Sequence, residues 1–573
     1  MIVNGQRISA SRSHAARYRI WGVLIVLAFA CHASIAQCVA NNKPQRSISY
    51  SFDPIFSADR MDLRVTLEFL GGRSGEAELE VPSSYAGQKG PTKGFTDFQV
   101  LSNRTTLTET SSPSSKILRF PAHTPVRISY VLVKDWNGPL NSDTRFRPIL
   151  DRNYFQILSD TALIKPKLDP ASTQDVYFDW QQLPRDWSLA TSFGVDERCQ
   201  FFHGMWKQVR TALFVGGDYR IQRATISGNS LILATRGKWS FTDDEWERQV
   251  QRIIETERNF WHDNSFPYQL VTLAPFDQDG GSYGGSAYTN AFMMHLPRKA
   301  TFSYSVVSLL AHENFHIWNP YKIGGEQGTA MSWFTEGFTR YYTDVILFRT
   351  GFLTLSEYIE HTNEKLRKYE LSPARNISNA ELTARHESDR SLSEVPGERG
   401  MVVALWLDSH IRQKTKNRAS LDSIMLELFK EGGRRDFRLT MDRLVHVAGR
   451  YLSPNDRRLL QQYIEDGTTM PVPEFALAPC VRVRTESAFQ FELGFDEESV
   501  RTNVVSGVKP DSEAFKAGIR DGQKITRVSV FWNDTSKPVR LTVRSSDGDH
   551  SLEYYPRGPS REIQQYYMDV NCS

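Results

Sequence analysis

The sequence shows little excess of charge of either sign. Its 573 residues carry 69 basic and 66 acidic side chains, which give a formal net charge of +3. Because nucleic-acid binding needs a concentrated basic surface, this balance gives no reason to expect a nucleic-acid partner. Hydrophobic residues make up 40% of the chain, which is ordinary for a protein with buried cores and excludes a wholly disordered or collagen-like chain.

Long apolar runs are almost absent, which excludes a polytopic membrane protein. The one such run, Ile20–Ala30, has 11 residues and is too short to span a bilayer comfortably. It follows three arginines and precedes small residues, as in an export signal cleaved before Gln37. We therefore expect residues 1–36 to be a signal peptide and the mature chain to be secreted or periplasmic, without a stable membrane anchor. A membrane-anchoring first helix is the alternative.

Cysteine is scarce, with five in the chain, and the spacing lacks the close pairs of a zinc knuckle. Removal of the signal would leave Cys38, Cys199, Cys480 and Cys572, an even number that suits an oxidising compartment. Four cysteines allow three connectivities. We favour Cys480–Cys572, because these two bracket one C-terminal segment, with Cys38–Cys199 as the remainder.

Internal repeats and long low-complexity linkers are also missing, so the chain is divided by its secondary-structure pattern. Residues 37–205 hold short alternating runs between turn residues, such as Asp62–Leu70 and Val126–Val133, and predict an N-terminal β-sandwich-like domain. Residues 206–478 carry long helical patterns, and residues 479–573 return to short strands. The expected fold class is multidomain α+β. The predicted helices are Trp246–Trp261 behind a Thr242/Glu245 capping box, Ser303–Trp318, Trp333–Arg349, Met401–Lys414 and Ser420–Phe429.

One pentapeptide stands out in an apolar helical segment: His312-Glu313-Asn314-Phe315-His316, an H-E-x-x-H motif. Positions i and i+4 share one helix face, so both imidazoles can reach one metal ion. Glu313 lies on the adjacent edge and is placed to hold water rather than to bind the metal. The alternative is a pair of histidines that make ordinary hydrogen bonds.

A third ligand candidate follows on a second helical segment. A catalytic zinc site keeps three protein ligands and one open position. Glu336, in WFTEGF, lies 20 residues beyond His316, which is enough chain for a loop and a returning helix. An unpaired carboxylate would be costly to bury in so apolar a segment, and a metal ion removes that cost. We therefore predict one zinc ion per chain at His312, His316 and Glu336.

The segments HENFHIWN and WFTEGFTRYYTD resemble the glycyl-aminopeptidase family of gluzincin zinc metallopeptidases. The resemblance continues through GMVVALWLDSHIRQKT to YIEDGTTMPVPE. It implies a thermolysin-like catalytic domain between an N-terminal β domain and a C-terminal PDZ domain. It also implies that His312, His316 and Glu336 bind zinc and that Glu313 is the general base. Asp344, in YYTD, is a candidate to support a ligand histidine, or else a solvated charge at a helix end.

The sequence departs from the family pattern at two positions. Ala287 stands where members carry a glutamate that binds the α-amino group of the substrate. Gly397 stands where they carry a tyrosine that donates a hydrogen bond to the oxyanion. Tyr283, Tyr288 and Tyr341 are candidates to replace that phenol, although packing is the commoner role of such residues.

The C-terminal segment carries a further motif, because Leu493, Gly494 and Phe495 resemble the carboxylate-binding loop of a PDZ domain. Backbone N–H groups of such a loop can capture a peptide C-terminus while the peptide adds as a strand. The alternative is a structural PDZ fold packed on the catalytic domain with its groove closed.

Two functional hypotheses result. The first is an exported zinc metallopeptidase that hydrolyses peptides or unfolded protein segments, for which Ala287 makes exopeptidase specificity doubtful. The alternative is a zinc-retaining, weakly active or inactive peptide-binding protein that works through its PDZ domain. The intact His312, Glu313, His316 and Glu336 favour the enzyme, whereas Ala287 and Gly397 favour the binder. A carbohydrate-binding or adhesive role for the β domain has no motif in its favour.

Overall fold

The computed structural model describes residues 47–569, apart from 86, 87, 278–282, 325–328, 387, 388, 390, 391, 433, 435, 436, 475, 478, 546 and 547. The predicted signal peptide, Cys38 and Cys572 lie outside these residues. The chain forms two compact units, one up to Gly138 with Asp143–Tyr219 and one of Pro139–Ser142 with the chain from Arg220 onward. Every helix within the described ranges is too short or too polar to cross a membrane.

The first unit is built from sheets around an apolar core. In β2, which spans Met61–Leu70, every second residue is buried, and this alternation confirms the strand predicted there. One sheet has the order β16-β13-β1-β2-β9-β6, a second β10-β11-β17-β14-β15 and a third β12-β3-β8-β7. The elements are β1 (Ile48–Phe56), β2, β3 (Glu76–Glu80), β4 (Ser84–Tyr85), β5 (Gln88–Lys89), β6 (Phe95–Val100), β7 (Thr106–Glu109), β8 (Ser115–Arg119), β9 (Pro125–Leu132), β10 (Ile149–Leu150), β11 (Tyr154–Leu158), α1 (Ser159–Ala162), β12 (Lys165–Pro166), β13 (Thr173–Asp179), β14 (Ser188–Thr191), β15 (Gly194–Val195), β16 (Cys199–Met205), α2 (Trp206–Arg210) and β17 (Leu213–Gly217).

The second unit contains a five-stranded sheet and most of the helices. The sheet has the order β18-β19-β20-β22-β21; its three central strands are parallel and both edge strands are antiparallel to their neighbours. The strands are β18 (Arg220–Ile226), β19 (Asn229–Thr235), β20 (Tyr268–Pro275), β21 (Gly284–Tyr288) and β22 (Ala291–Leu296). The helices are α3 (Asp243–Trp261), α4 (Tyr304–Phe315), α5 (Ser332–Arg349), α6 (Leu355–Leu371), α7 (Asn379–Arg385), α8 (Val395–Thr415), α9 (Leu421–Gly432), α10 (Met441–Ala448) and α11 (Pro454–Gln461).

The predicted helices are present, with some of their ends shifted. The Thr242/Glu245 capping box starts α3 as expected. Helix α4 ends at Phe315 rather than at Trp318, because Pro320 cannot continue an α-helix, and a π-helical turn over Ile317–Lys322 follows. Helix α8 begins at Val395, six residues before the predicted start, since Pro396 is favoured in the first helical turn.

Helices α5 and α8 cross at two glycines. A Cβ atom at Gly337 would overlap the backbone of Gly400, and one at Gly400 would overlap the carbonyl oxygen of Trp333. The two backbones are therefore in direct contact, which only glycine permits. This crossing fixes the first turns of α5, where Glu336 lies.

The C-terminal segment packs onto the helical part of the same unit. Strand β27 lies along α6, where Asn363 and Tyr566 exchange two hydrogen bonds of 2.7 Å and the Glu370 carboxylate accepts one from Gln564 N–H at 2.6 Å. The segment contains β23 (Val481–Phe491), α12 (Glu498–Thr502), α13 (Glu513–Lys516), β24 (Lys524–Ser529), β25 (Val539–Ser545), β26 (Gly548–Tyr554) and β27 (Arg557–Met568).

Two of the cysteines belong to disulfides. Cys199 and Cys480 are both disulfide-bonded. Asp569 N–H donates to the Cys480 carbonyl at 2.8 Å, so the end of the described chain returns to Cys480. The favoured pairing with Cys38 and Cys572 stays a prediction.

Substitution Gly400→Ala tests the helix crossing. We expect it to lower the free energy of unfolding by about 2–3 kcal/mol, because the added methyl group must separate two packed helices. Urea denaturation measures the change. Gly72→Ala is the control, since its Cβ would meet only Ser74 Oγ at 3.9 Å; equal stability of the two variants would contradict the crossing.

Candidate metal centre

Helix α4 and the first turns of α5 bring three potential ligands together. His312 Nε2 lies 3.1 Å from His316 Nε2 and 3.3 Å from Glu336 Oε2, and His316 Nε2 lies 3.7 Å from Glu336 Oε1. Ligand atoms about 2 Å from a tetrahedral zinc ion lie about 3.3 Å from one another. The three donors therefore have the spacing of one face of a zinc tetrahedron, as predicted from the sequence, and together they form a candidate metal site.

The orientation of His316 supports a bound cation. Its Nδ1 donates a hydrogen bond to the Asn319 carbonyl at 2.9 Å, which requires the proton on Nδ1 and leaves a lone pair on Nε2. That lone pair points at the second imidazole and at a carboxylate. The lone pairs of these groups would repel one another, and a metal ion shared between them removes that repulsion. Hydrogen bonds to backbone carbonyls, such as the one to Asn319, are typical of histidines that bind metals.

Asn319 also connects the two helices that supply ligands. Its fully buried side-chain amide contacts the Phe334 carbonyl at 3.3 Å and Thr339 Oγ1 at 3.2 Å on α5. The turn that carries it is held from behind, where Trp318 Nε1 donates to Asp263 at 2.8 Å and Lys322 pairs with the same carboxylate at 2.5 Å. Asn319 belongs to the segment HENFHIWN, but its position in the sequence does not indicate these contacts.

The protonation states suit metal binding. Burial lowers the pKa of His312, so that the imidazole stays neutral. Burial alone would raise the pKa of Glu336, but the hydrogen bond with His312 and the favourable electrostatic interactions with both histidines and Arg340 outweigh it and lower that pKa to about 2. Neutral imidazoles and an ionised carboxylate are the forms that bind zinc.

Glu313 lies beneath edge strand β21. A Cβ atom at Gly285 would lie 2.8 Å from Glu313 Cγ and 3.0 Å from Leu309 Cδ1. The strand backbone is thus in contact with the glutamate, and Gly285 is the residue that permits it. Because alternate residues of a strand share a face, Ala287 points to the same side of β21 as Gly285, and Ser286 points to the other.

Tyr321 is a functional candidate that sequence reasoning missed. It lies in the π-helical turn after His316, and its side chain is 53% exposed. Although the residue as a whole is exposed, desolvation at its hydroxyl and the negative charges of Glu313 and Glu336 raise the pKa of Tyr321, so the hydroxyl stays protonated within electrostatic reach of both carboxylates. Its position five residues after His316 was the available signal. Tyr341, by contrast, is buried, and its pKa is raised by burial and by Asp408, Tyr358 and Asp422 rather than by the candidate ligands.

Asp344 does not contact the ligand histidines through any hydrogen bond recorded in the described part of the chain. It accepts a hydrogen bond from Tyr304 OH at 2.7 Å and forms an ion pair with Lys365. Asp344, on α5, therefore connects the start of α4 to α6. This contact is neither support for a ligand histidine nor a solvated charge at a helix end, which were the two roles considered from the sequence.

The predicted peptide-binding loop is present without the usual walls of a groove. Leu493 and Phe495 are buried, and Gly494 has a φ of 82°. Among the residues that the structure describes, no acceptor contacts the backbone N–H groups of these three residues. However, helix α12 follows where an added peptide would need an extended partner strand, and residues 530–538 form turns without a helix.

Comparison with known proteins agrees with this site. Residues 305–420 match the family model of the M61 glycyl aminopeptidases, and this range contains the three candidate ligands and Glu313. The resemblance stated from the sequence is confirmed for this segment, and so is the prediction of a zinc-dependent metallopeptidase. Comparison with curated proteins finds no match.

Two solved structures are similar to this chain to different degrees. An aminopeptidase N family protein from Idiomarina loihiensis is 17% identical, with a TM-score of 0.69 over 91% of this chain and 98% of that chain. An M1 zinc metallopeptidase from Deinococcus radiodurans is 13% identical, with a TM-score of 0.46 over 77% of this chain and 99% of that one. The first likeness confirms a multidomain α+β fold over nearly the whole chain.

Zinc content tests the ligand set. Wild-type protein purified with zinc should retain about one ion per chain, whereas His316→Ala should lose most of it, because two remaining protein ligands hold zinc poorly. Elemental analysis after dialysis measures the content. His262→Ala, outside the donor set, is the control; zinc-free wild-type protein would contradict the site.

Proposed function

We propose that the chain is an exported peptidase that cleaves peptide bonds with one zinc ion held by His312, His316 and Glu336 and with Glu313 as general base. The observation that carries the proposal is the spacing of the three donor atoms, with Glu313 beside them on the same helix. A protein that only bound peptides would need no general base next to the metal.

The groups divide the chemistry among them. Zinc, when bound, supplies a Lewis acid that polarises the peptide carbonyl and acidifies water. Glu313 accepts a proton from the attacking water and passes it to the leaving amine. Its position is fixed by the β21 backbone at Gly285 and by helix α4. Tyr321 is the proposed donor to the carbonyl oxygen as negative charge develops there, since its phenol remains protonated near Glu313.

Export is part of the proposal. The apolar segment at residues 20–30 is typical of a signal peptide cleaved before residue 37. The disulfides at Cys199 and Cys480 support an oxidising destination, the periplasm or the exterior of the cell. We propose that the mature chain consists of a β domain over 37–205, a thermolysin-like catalytic domain over 206–478 and a PDZ-like domain over 479–573.

For the PDZ-like domain we propose a mainly structural role. Its free loop N–H groups would suit a peptide carboxylate, but helix α12 occupies the position of the strand that a peptide would extend. Strand β27 instead packs against α6 through Asn363 and Glu370. This packing supports a domain that stabilises the catalytic helices.

Substitution Glu313→Gln separates chemistry from metal binding. We expect zinc content to be unchanged and the rate of peptide cleavage to fall about 10²- to 10⁴-fold, because the amide cannot accept a proton. Digestion of an unstructured protein, followed by mass spectrometry with and without a chelator, measures the rate. Cleavage by the variant at the wild-type rate would show that Glu313 is not the base.

Substitution Ala287→Glu tests substrate register. Because wild-type protein lacks a carboxylate at this position, we expect it to cleave peptides with free and with acetylated N-termini at similar rates. The cleaved bonds should be internal ones. The variant should favour the free amine by about tenfold, since a charge-assisted contact is gained. Ser286→Glu adds the same charge on the opposite face of β21 and is the control. A strong wild-type preference for the free amine would contradict internal cleavage.

A further inference from the structure

A guanidinium lies beside the candidate metal centre. Arg340 follows Glu336 by one turn of α5, so both side chains lie on the same face of the helix. Side chains four residues apart on a helix are neighbours, with Cβ atoms about 5–6 Å apart. The partly buried side chain of Arg340 is 25% exposed. The chemistry already proposed gives this cation no role.

Gly397 provides the space for this guanidinium. A Cβ atom at Gly397, in the first turn of α8, would lie 2.6 Å from Arg340 Nε and 2.7 Å from Cζ. The φ angle of Gly397 is not positive, so its backbone conformation does not require glycine at this position. The contact with Arg340 accounts for it.

The guanidinium retains hydrogen-bonding capacity. Its Nη2 donates to Glu394 Oε2 at 2.6 Å, and no other acceptor contacts it among the residues that the structure describes. The Glu394 side chain is 61% exposed, so this ion pair contributes little and fixes only one edge. The buried Glu398 is the other acidic group on α8 that faces Arg340. The Nε and Nη1 donors remain for a ligand.

We propose that Arg340 binds a carboxylate of the peptide substrate close to the scissile bond. Arginine pairs with carboxylates through two parallel hydrogen bonds. The Arg340 donors that Glu394 leaves unused can form such a pair with a carboxylate that a bound peptide brings to the site. The carboxylate is either the C-terminus of a short peptide or an acidic side chain. This inference rests on the proposed peptidase function and specifies its substrates.

The test compares matched peptides. Zinc-loaded Glu313→Gln protein is titrated by calorimetry with one peptide as its C-terminal acid and amide, and with internal Asp and Asn versions of it. We expect at least one acid to bind about tenfold more tightly than its neutral partner, and the pair that differs identifies the source. Adding Arg340→Ala should abolish the difference and leave binding of the neutral peptides unchanged.

Two further variants separate recognition from packing. Gly397→Ala keeps Arg340 but displaces its guanidinium, and it should also abolish the preference. Arg349→Ala, which breaks the 2.7 Å pair with Asp422 at the other end of α5, should preserve it. Equal affinity for acids and neutral peptides, or an equal loss for both in Arg340→Ala, would overturn the proposal. Because binding is measured without turnover, the result stands apart from whether the wild-type protein cleaves peptides.

Discussion

The site depends on the close crossing of helices α5 and α8 at Gly337 and Gly400. Backbone contact at this point sets the depth and rotation of α5 and thereby the direction of Glu336, its neighbour in the chain. Gly337 contacts Gly400, and Arg340, later on α5, contacts Gly397, which is earlier on α8. The two helices therefore run antiparallel. A ligand carboxylate and a guanidinium are therefore positioned by the same packing. Because protein interiors are densely packed, the crossing leaves no room for even one added methyl group.

Local spacing explains how much of the metal centre could be predicted. His312 and His316 share one helix face, and that relation needs only the helical period. Glu336 was predicted because its apolar surroundings make an unpaired carboxylate costly. The predicted end of α4 lies three residues too late, because the apolar pattern continues to Trp318. The π-helical turn that replaces the last predicted turn brings Asn319 to His316, and no periodicity indicates this contact.

The remaining features are tertiary contacts between distant segments. The Gly285 backbone lies against Glu313, and the Asn319 amide reaches α5, but neither residue carries a sequence signal for its partner. The late predicted start of α8 has a related cause, since Gly397 and Gly400 are poor helix formers. Both glycines are retained because backbone or guanidinium occupies the space of their side chains. Propensity argues against glycine there, and packing overrides it.

Chemistry and recognition are held by different parts of this site. The candidate metal ligands and Glu313 lie on helix faces fixed by the core, whereas Ala287 lies on an edge strand and Arg340 at a partly exposed position. At position 287 the chain has a methyl group in place of the family's carboxylate, which would attract a substrate ammonium. At position 397 it has glycine in place of the family's tyrosine, and the Arg340 guanidinium occupies the space that a side chain would fill. Under the role proposed for Arg340, the substrate group that the site binds is an anion instead of an ammonium. The sign of a charged group in the site decides which peptides bind, whereas metal-assisted hydrolysis is the same for many peptides. The same chemistry can therefore act on peptides that bind through an anionic group rather than a cationic one.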